Sequence, residues 1–167
     1  MKRLSVGVLC SLLAFGCASL NLGTVIQPPI VSGVEGQDPQ LQLRLPSPSR
    51  PIGGAAVRLW SKIENPNGFS LTISRLAGDL FIGNGEGFKV DFPLGVALVA
   101  AGDAIVPLDV SIDFDDVPGL AEAAVAALSS GSLPYRLDAI IAVDAGMLGM
   151  PEFGPSTLLQ GDLRVVR

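Results

Sequence analysis

Three observations predict a mainly β protein, a β-sandwich carrying one α-helix: side chains that alternate between apolar and polar, frequent turn signals, and a single stretch of helical period. The chain has 167 residues, of which 49% are hydrophobic and 16% charged, so it suits one domain with a proper core. That composition excludes a disordered hydrophile. Its 20 glycines and 13 prolines follow no period, which points to many turns rather than a fibre.

The first segment stands apart from the domain. "MKRLSVGVLCSLLAFGC" places Lys2 and Arg3 ahead of an apolar run from Leu4 to Phe15, followed by Gly16 and Cys17. This is the pattern of a secretory signal over residues 1–16, with an apolar run too short to span a bilayer comfortably. Leu13-Ala14-Phe15-Gly16-Cys17 is similar to a bacterial lipobox, in which the Cys becomes the lipidated first residue; Phe15 departs from the usual small or β-branched residue. Ala18, a residue other than Asp, resembles the pattern that sorts lipoproteins to the outer membrane in a host with two membranes. The expected location is therefore a bacterial cell envelope, with contact to the membrane through the lipid anchor.

Cleavage before Cys17 also removes Cys10, so the only remaining Cys carries lipid and no disulfide, zinc site or Cys nucleophile is expected. Without Lys2 and Arg3 the chain has 9 basic against 16 acidic residues, a formal −7. An acidic domain is poorly suited to phosphate backbones, so no nucleic-acid partner is expected. Residues 17–54 contain "QPPIV", "GQDP" and "RLPSPSRPIGG". They read as a Pro/Gly-rich tether with one or two extended segments, Ile30–Val34 and Leu41–Leu45, or as a short first strand of the domain.

The domain is expected over residues 55–167. In "AVRLWSKIE", Val57, Leu59 and Ile63 fall on one face of a strand and Arg58, Lys62 and Glu64 on the other; Trp60 lies on the polar face, as cover for a sheet edge or as a ligand platform. Asn65, Pro66, Asn67 and Gly68 suit a β-turn, with an Asn side-chain cap, a fixed φ at Pro and a closing Gly. Phe69, Leu71 and Ile73 restart the alternation, and Asn84-Gly85-Glu86-Gly87 marks a hairpin before Phe88, Val90 and Phe92. "VALVAAGDAIVPLDVSIDF" reads as another pair turning at Ala101-Gly102-Asp103.

The period then changes. The helix is expected over about residues 118–130, with Asp115 and Asp116 before it, Pro118 in its first turn and Gly131 at its C-terminal cap. Leu120, Ala124, Ala127 and Leu128 share its apolar face. "PYRLDAIIAVDA" alternates again, "MLGMPEFGP" reads as a loop, and Leu159, Leu163 and Val165 align in a closing strand.

Chemistry is sparse. The sequence contains no His, which removes the commonest general base and rules out a Ser-His-Asp triad. Asp113, Asp115 and Asp116 lack the glycine and terminal Glu of a calcium loop and read as a solvated helix start. Gly83–Gly87 has no Lys-Ser/Thr and no following helix, so it is no phosphate loop. No catalytic residue, cofactor or metal site is expected.

A strand, Asn65-Pro66-Asn67, a second strand, a glycine-turn hairpin, "IVPLDVSIDF", a helix, "PYRLDAIIAVD" and a final "GDLRV" follow in that order. In this arrangement residues 55–167 resemble type 2 late embryogenesis abundant proteins, and more narrowly their water stress and hypersensitive response (WHy) domain. The resemblance implies an immunoglobulin-like or fibronectin-III-like sandwich with a helix. It also implies a non-enzymatic protein of desiccation, cold or osmotic stress, with Asn65, Pro66, Asn67 and Gly68 as a structural turn. Its expected partners are a membrane, through the anchor, and partly unfolded proteins, through weak contacts. The alternative is a binding or assembly module of the envelope built on the same scaffold. The lipobox-like segment departs from plant members of the family and is similar to secreted bacterial ones.

Overall fold

The computed structural model describes residues 26–166; the predicted signal at 1–16 and the lipidation site Cys17 lie outside them. Eight strands and one helix follow in the order β1 (Ile30–Gly33), β2 (Gln40–Arg44), β3 (Gly54–Glu64), β4 (Leu71–Ile82), β5 (Phe88–Leu98), β6 (Asp103–Asp113), α1 (Leu120–Ser130), β7 (Ser132–Asp144) and β8 (Glu152–Val166). Among the described residues no helix is long and apolar enough to cross a membrane.

The eight strands form one continuous sheet. From one edge it runs β5, β4, β7, β8, β2, β3, β6, with β1 pairing β3 beside β2. All pairings are antiparallel except β2 with β8. Each long central strand buries one face only: Val57, Leu59 and Ile63 on β3, Leu76 and Leu80 on β4, Leu137, Ala139, Ile141 and Val143 on β7. These residues belong to one cluster, so the sheet curls over and encloses its apolar face. The period-two pattern encodes this directly, because alternate side chains leave a strand on opposite faces.

Residues 26–54 contribute β1 and β2 to the sheet. Leu41 of β2 is fully buried and pairs Val57, and Ile26 is buried as well. The folded region therefore begins ahead of residue 55, and β1 and β2 take the strand alternative left open for the tether. The turn at Ala101–Asp103 does not close a hairpin. Among the described residues β5 pairs only β4 and β6 pairs only β3, so the connection carries the chain between opposite edges. Alternation specifies the buried face of a strand but not its neighbour, and both strands present apolar residues to the same core.

Helix α1 closes one end against β7 and β8. Its buried residues are Leu120, Ala124 and Ala127, and Leu128, expected on that face, is exposed. Gly131 takes a left-handed conformation (φ 83°) and donates its N–H to Ala127 O at 2.7 Å, which ends the helix. Pro118 lies in the turn ahead of Leu120 rather than in the first helical turn. Glu152–Pro155, expected in a loop, open β8, after a single 3-10 turn at Gly146–Leu148.

The pairing registers sort the connections between two ends of the molecule. Glu64 opposite Asp103, Leu71 opposite Leu98 and Thr72 opposite Asp144 place residues 26–29, 65–70, 99–102 and 145–151 at one end. Gly54 opposite Asp113 and Ile82 opposite Tyr135 place residues 45–53, 83–87 and 114–119, with α1, at the other.

Candidate functional site

Asn65 and Asn67 are buried polar residues at the first end, and their amides tie three chain segments together. Asn65 Nδ2 donates to Phe69 O at 2.8 Å and to Val99 O at 2.9 Å. Its Oδ1 accepts from the backbone N–H of Asn67 and from Asn67 Nδ2, each at 3.0 Å. Asn67 in turn exchanges two bonds with the backbone of Gln27, accepting from N at 2.8 Å and donating to O at 2.9 Å. That side-chain amide imitates a paired peptide group and holds the incoming chain. Backbone bonds from Asn65 N to Gly102 O (2.8 Å) and from Ala101 N to Asn67 O (3.0 Å) complete the knot.

The segment turns by the Asn65 side chain accepting from Asn67 N–H, an Asx turn, in place of a backbone bond from Asn65 to Gly68. Pro66 is half-buried and Gly68 exposed. Among the described residues no buried side-chain polar atom lacks a partner, so the amides of the knot are engaged in holding the chain together.

The other sequence candidates stay apart from one another. Asp113 faces Arg50 at 3.5 Å, Asp115 and Asp116 are exposed, and among the described residues no three metal-ligating side chains converge. Gly83–Gly87 form the β4–β5 turn. Trp60 is half-buried on β3 with the Arg58 guanidinium 5.8 Å from its ring centre. Arg58 forks onto both Asp109 oxygens (2.6 and 2.9 Å), and Arg75 onto Asp91 (2.7 and 2.8 Å). Hydrogen bonds from these guanidinium groups hold both carboxyls below the ordinary carboxylate value. The pairs are exposed and of small energetic weight.

A hollow of about 860 Å³ lies at the other end between α1, the β4–β5 turn and the start of β7. Ile82, Leu120, Ala123, Ala127, Leu133 and Pro134 make it mainly hydrocarbon, with Glu86 also lining it. Such a surface provides apolar contact and no concentrated charge. Sequence reading missed this hollow, and it missed Gln27 as the partner of Asn67. Each is built from segments far apart in the chain, and no local signal says which segments meet.

A curled, mainly β domain with one helix and an Asn-Pro-Asn knot defines a scaffold class rather than a reaction. The chain matches the family of late embryogenesis abundant proteins over residues 61–156, more than half its length, and belongs to that family. The match runs from β3 through the knot into β8. Among solved structures, a solution structure of a protein from Arabidopsis thaliana is 15% identical, with a TM-score of 0.51 over 78% of this chain and 83% of that one. The solution structure of another protein, itself described as late embryogenesis abundant, is 16% identical, with a TM-score of 0.51 over 84% of this chain and 73% of that one. At such identity the likeness concerns the fold alone. No curated protein matches the chain in sequence.

Proposed function

We propose that the protein is a non-enzymatic stress-protection protein of the bacterial cell envelope, acting in desiccation, cold or osmotic stress. The observation that carries this reading is its membership of the late embryogenesis abundant family across the folded domain. In this reading the domain is of the WHy type, an immunoglobulin-like or fibronectin-III-like sandwich held by a lipid on Cys17. It acts by weak contacts: an acidic surface keeps it soluble, and apolar areas such as the hollow beside α1 meet partly unfolded clients and limit their aggregation. The test is drying or freeze–thaw of a labile enzyme with the purified protein, which should preserve more activity than an equal mass of inert protein. Equal protection by the inert protein defeats the proposal. The anchor is tested separately, since Cys17→Ser should release the protein from membranes.

A second reading, an envelope binding or assembly module, is favoured by Trp60 beside Arg58 and by the edge strands β5 and β6. Crosslinking in cells separates the two: one abundant partner supports the module, and many weak ones support protection.

A further inference from the structure

The end of the molecule that holds the Asn knot differs in surface chemistry from the opposite end. Its four connections, 26–29, 65–70, 99–102 and 145–151, contain no charged residue. Two of them project apolar side chains into solvent. Val99 is 69% exposed, Met150 70%, and Met147 fully. The two loops are neighbours, because Val99 and Gly146 line one hollow of about 300 Å³ with Leu71 and Leu98. Both have fixed bases. Ala101 N bonds Asn67 O, while Val143 N bonds Pro151 O and Ala145 N bonds Gly149 O. Charged residues begin just below, at Lys62, Glu64, Asp103, Asp144 and Glu152. At the other end Leu45, Ile52, Val125 and Leu128 are also exposed, but Leu45 and Ile52 sit among Arg44, Arg50, Asp113, Asp115 and Asp116, and Val125 and Leu128 lie on α1, which carries Glu122.

The chain enters at the uncharged end. Gln27 is fixed to Asn67 there, and Cys17 precedes Ile26 by nine residues. Nine residues reach at most roughly 30 Å when fully extended, and the 12 residues of β4 span about 40 Å between the ends. A lipid on Cys17 therefore holds the uncharged end within roughly 30 Å of the bilayer, less than the length of the domain, and excludes the inverted arrangement with the α1 end on the membrane.

We propose that the loops at Val99–Gly102 and Ala145–Pro151 dock on the lipid surface, with Val99, Met147 and Met150 entering the headgroup–acyl boundary. This rests on the anchored reading above. The rim below the loops carries four acidic residues and one Lys, so the surface that fits is one of zwitterionic headgroups, and anionic lipid should weaken the contact. Docking fixes the orientation of the domain and leaves α1 and its hollow facing outward.

The test uses the full chain expressed with its leader, purified from membranes and reconstituted into phosphatidylcholine–phosphatidylethanolamine vesicles. Hydrogen exchange of the vesicle-bound protein is compared with that of the Cys17→Ser protein in solution. Exchange in peptides covering 98–103 and 144–151 should slow severalfold, with peptides at 83–87 and 114–119 unchanged. The triple variant Val99→Asp/Met147→Asp/Met150→Asp should stay on vesicles through its anchor and lose the slowing. Unchanged exchange in both loops, or slowing at the α1 end instead, overturns the proposal. The mass of the N-terminal peptide reports lipidation independently. If Cys17 carries no acyl group, coupling its thiol to a maleimide phospholipid restores the tether, and the same exchange pattern still decides on the loops.

Discussion

Asn65 satisfies two carbonyls and one N–H from three points in the chain. Asn65→Ala leaves Phe69 O and Asn67 N–H without partners, leaves Val99 O with the Gly102 N–H alone, and should cost about 3 kcal/mol, at roughly 1–3 kcal/mol for each group left unmet. The midpoint of urea unfolding measures it. Asn65→Asp is the sharper probe. Near neutral pH it turns a carboxylate oxygen toward two carbonyl oxygens and should be worse than Ala. A protonated carboxyl regains one O–H donor, so this variant should recover relative to Asn65→Ala as pH falls. The wild-type protein should show the opposite slope through Asp91 and Asp109. Their folded-state values are depressed, so their contribution is present above the unfolded value of about 3.9 and is lost as pH falls through the folded one. Stability from these pairs should be flat above about pH 5 and decline below about pH 4, and Asp91→Asn/Asp109→Asn should flatten that decline.

At the scale of elements, β2 decides where the domain begins. Leu41→Ala in a tether would change nothing. In the sheet it removes a fully buried side chain and should cost about 2–5 kcal/mol, read from the same urea curves. Gly78 decides how closely β4 and β7 pack. A Cβ there would lie 2.1 Å from Asp138 O and 2.5 Å from Ala139 Cα, so Gly78→Ala must push two central strands apart and should destabilise by about 1–3 kcal/mol or more. Gly85→Ala, whose nearest contact is 3.4 Å away in the β4–β5 turn, is the matched control and should cost far less.

The same elements show what the sequence could convey. The faces of β3, β6 and β7 were legible because one-sided burial imposes period two, and the C-terminal end of α1 because Gly131 marks it; on β4 the register shift between Ile73 and Arg75 interrupts that period. β1 and β2 were obscured by surrounding prolines, and the separation of β5 from β6 has no local signature. The Asn-Pro-Asn segment was legible as a chain reversal. Its burial and its grip on Gln27 depend on residues 40 positions away.

For the whole molecule, a sheet that curls without closing leaves edges, and exposed edges template further strands unless something guards them. The edge strands carry the devices that prevent this. Pro93, Lys89 and Asp91 lie on β5, and Pro107, Asp103 and Asp109 on β6. Proline offers no N–H to an added strand, and the charges resist burial in a second sheet. Pro107→Val/Asp109→Val should therefore leave the β3–β6 ladder in place, since Pro107 already sits in register opposite Trp60. The substitution also frees Arg58 of its partner, a surface loss of small weight. The expected result is a folded monomer by circular dichroism and light scattering before stress, with scattering that rises over repeated freeze–thaw cycles while the wild type stays clear. A variant as clear as wild type would show that these edge residues do not guard β6, and that the curled sheet suppresses self-pairing by its shape alone.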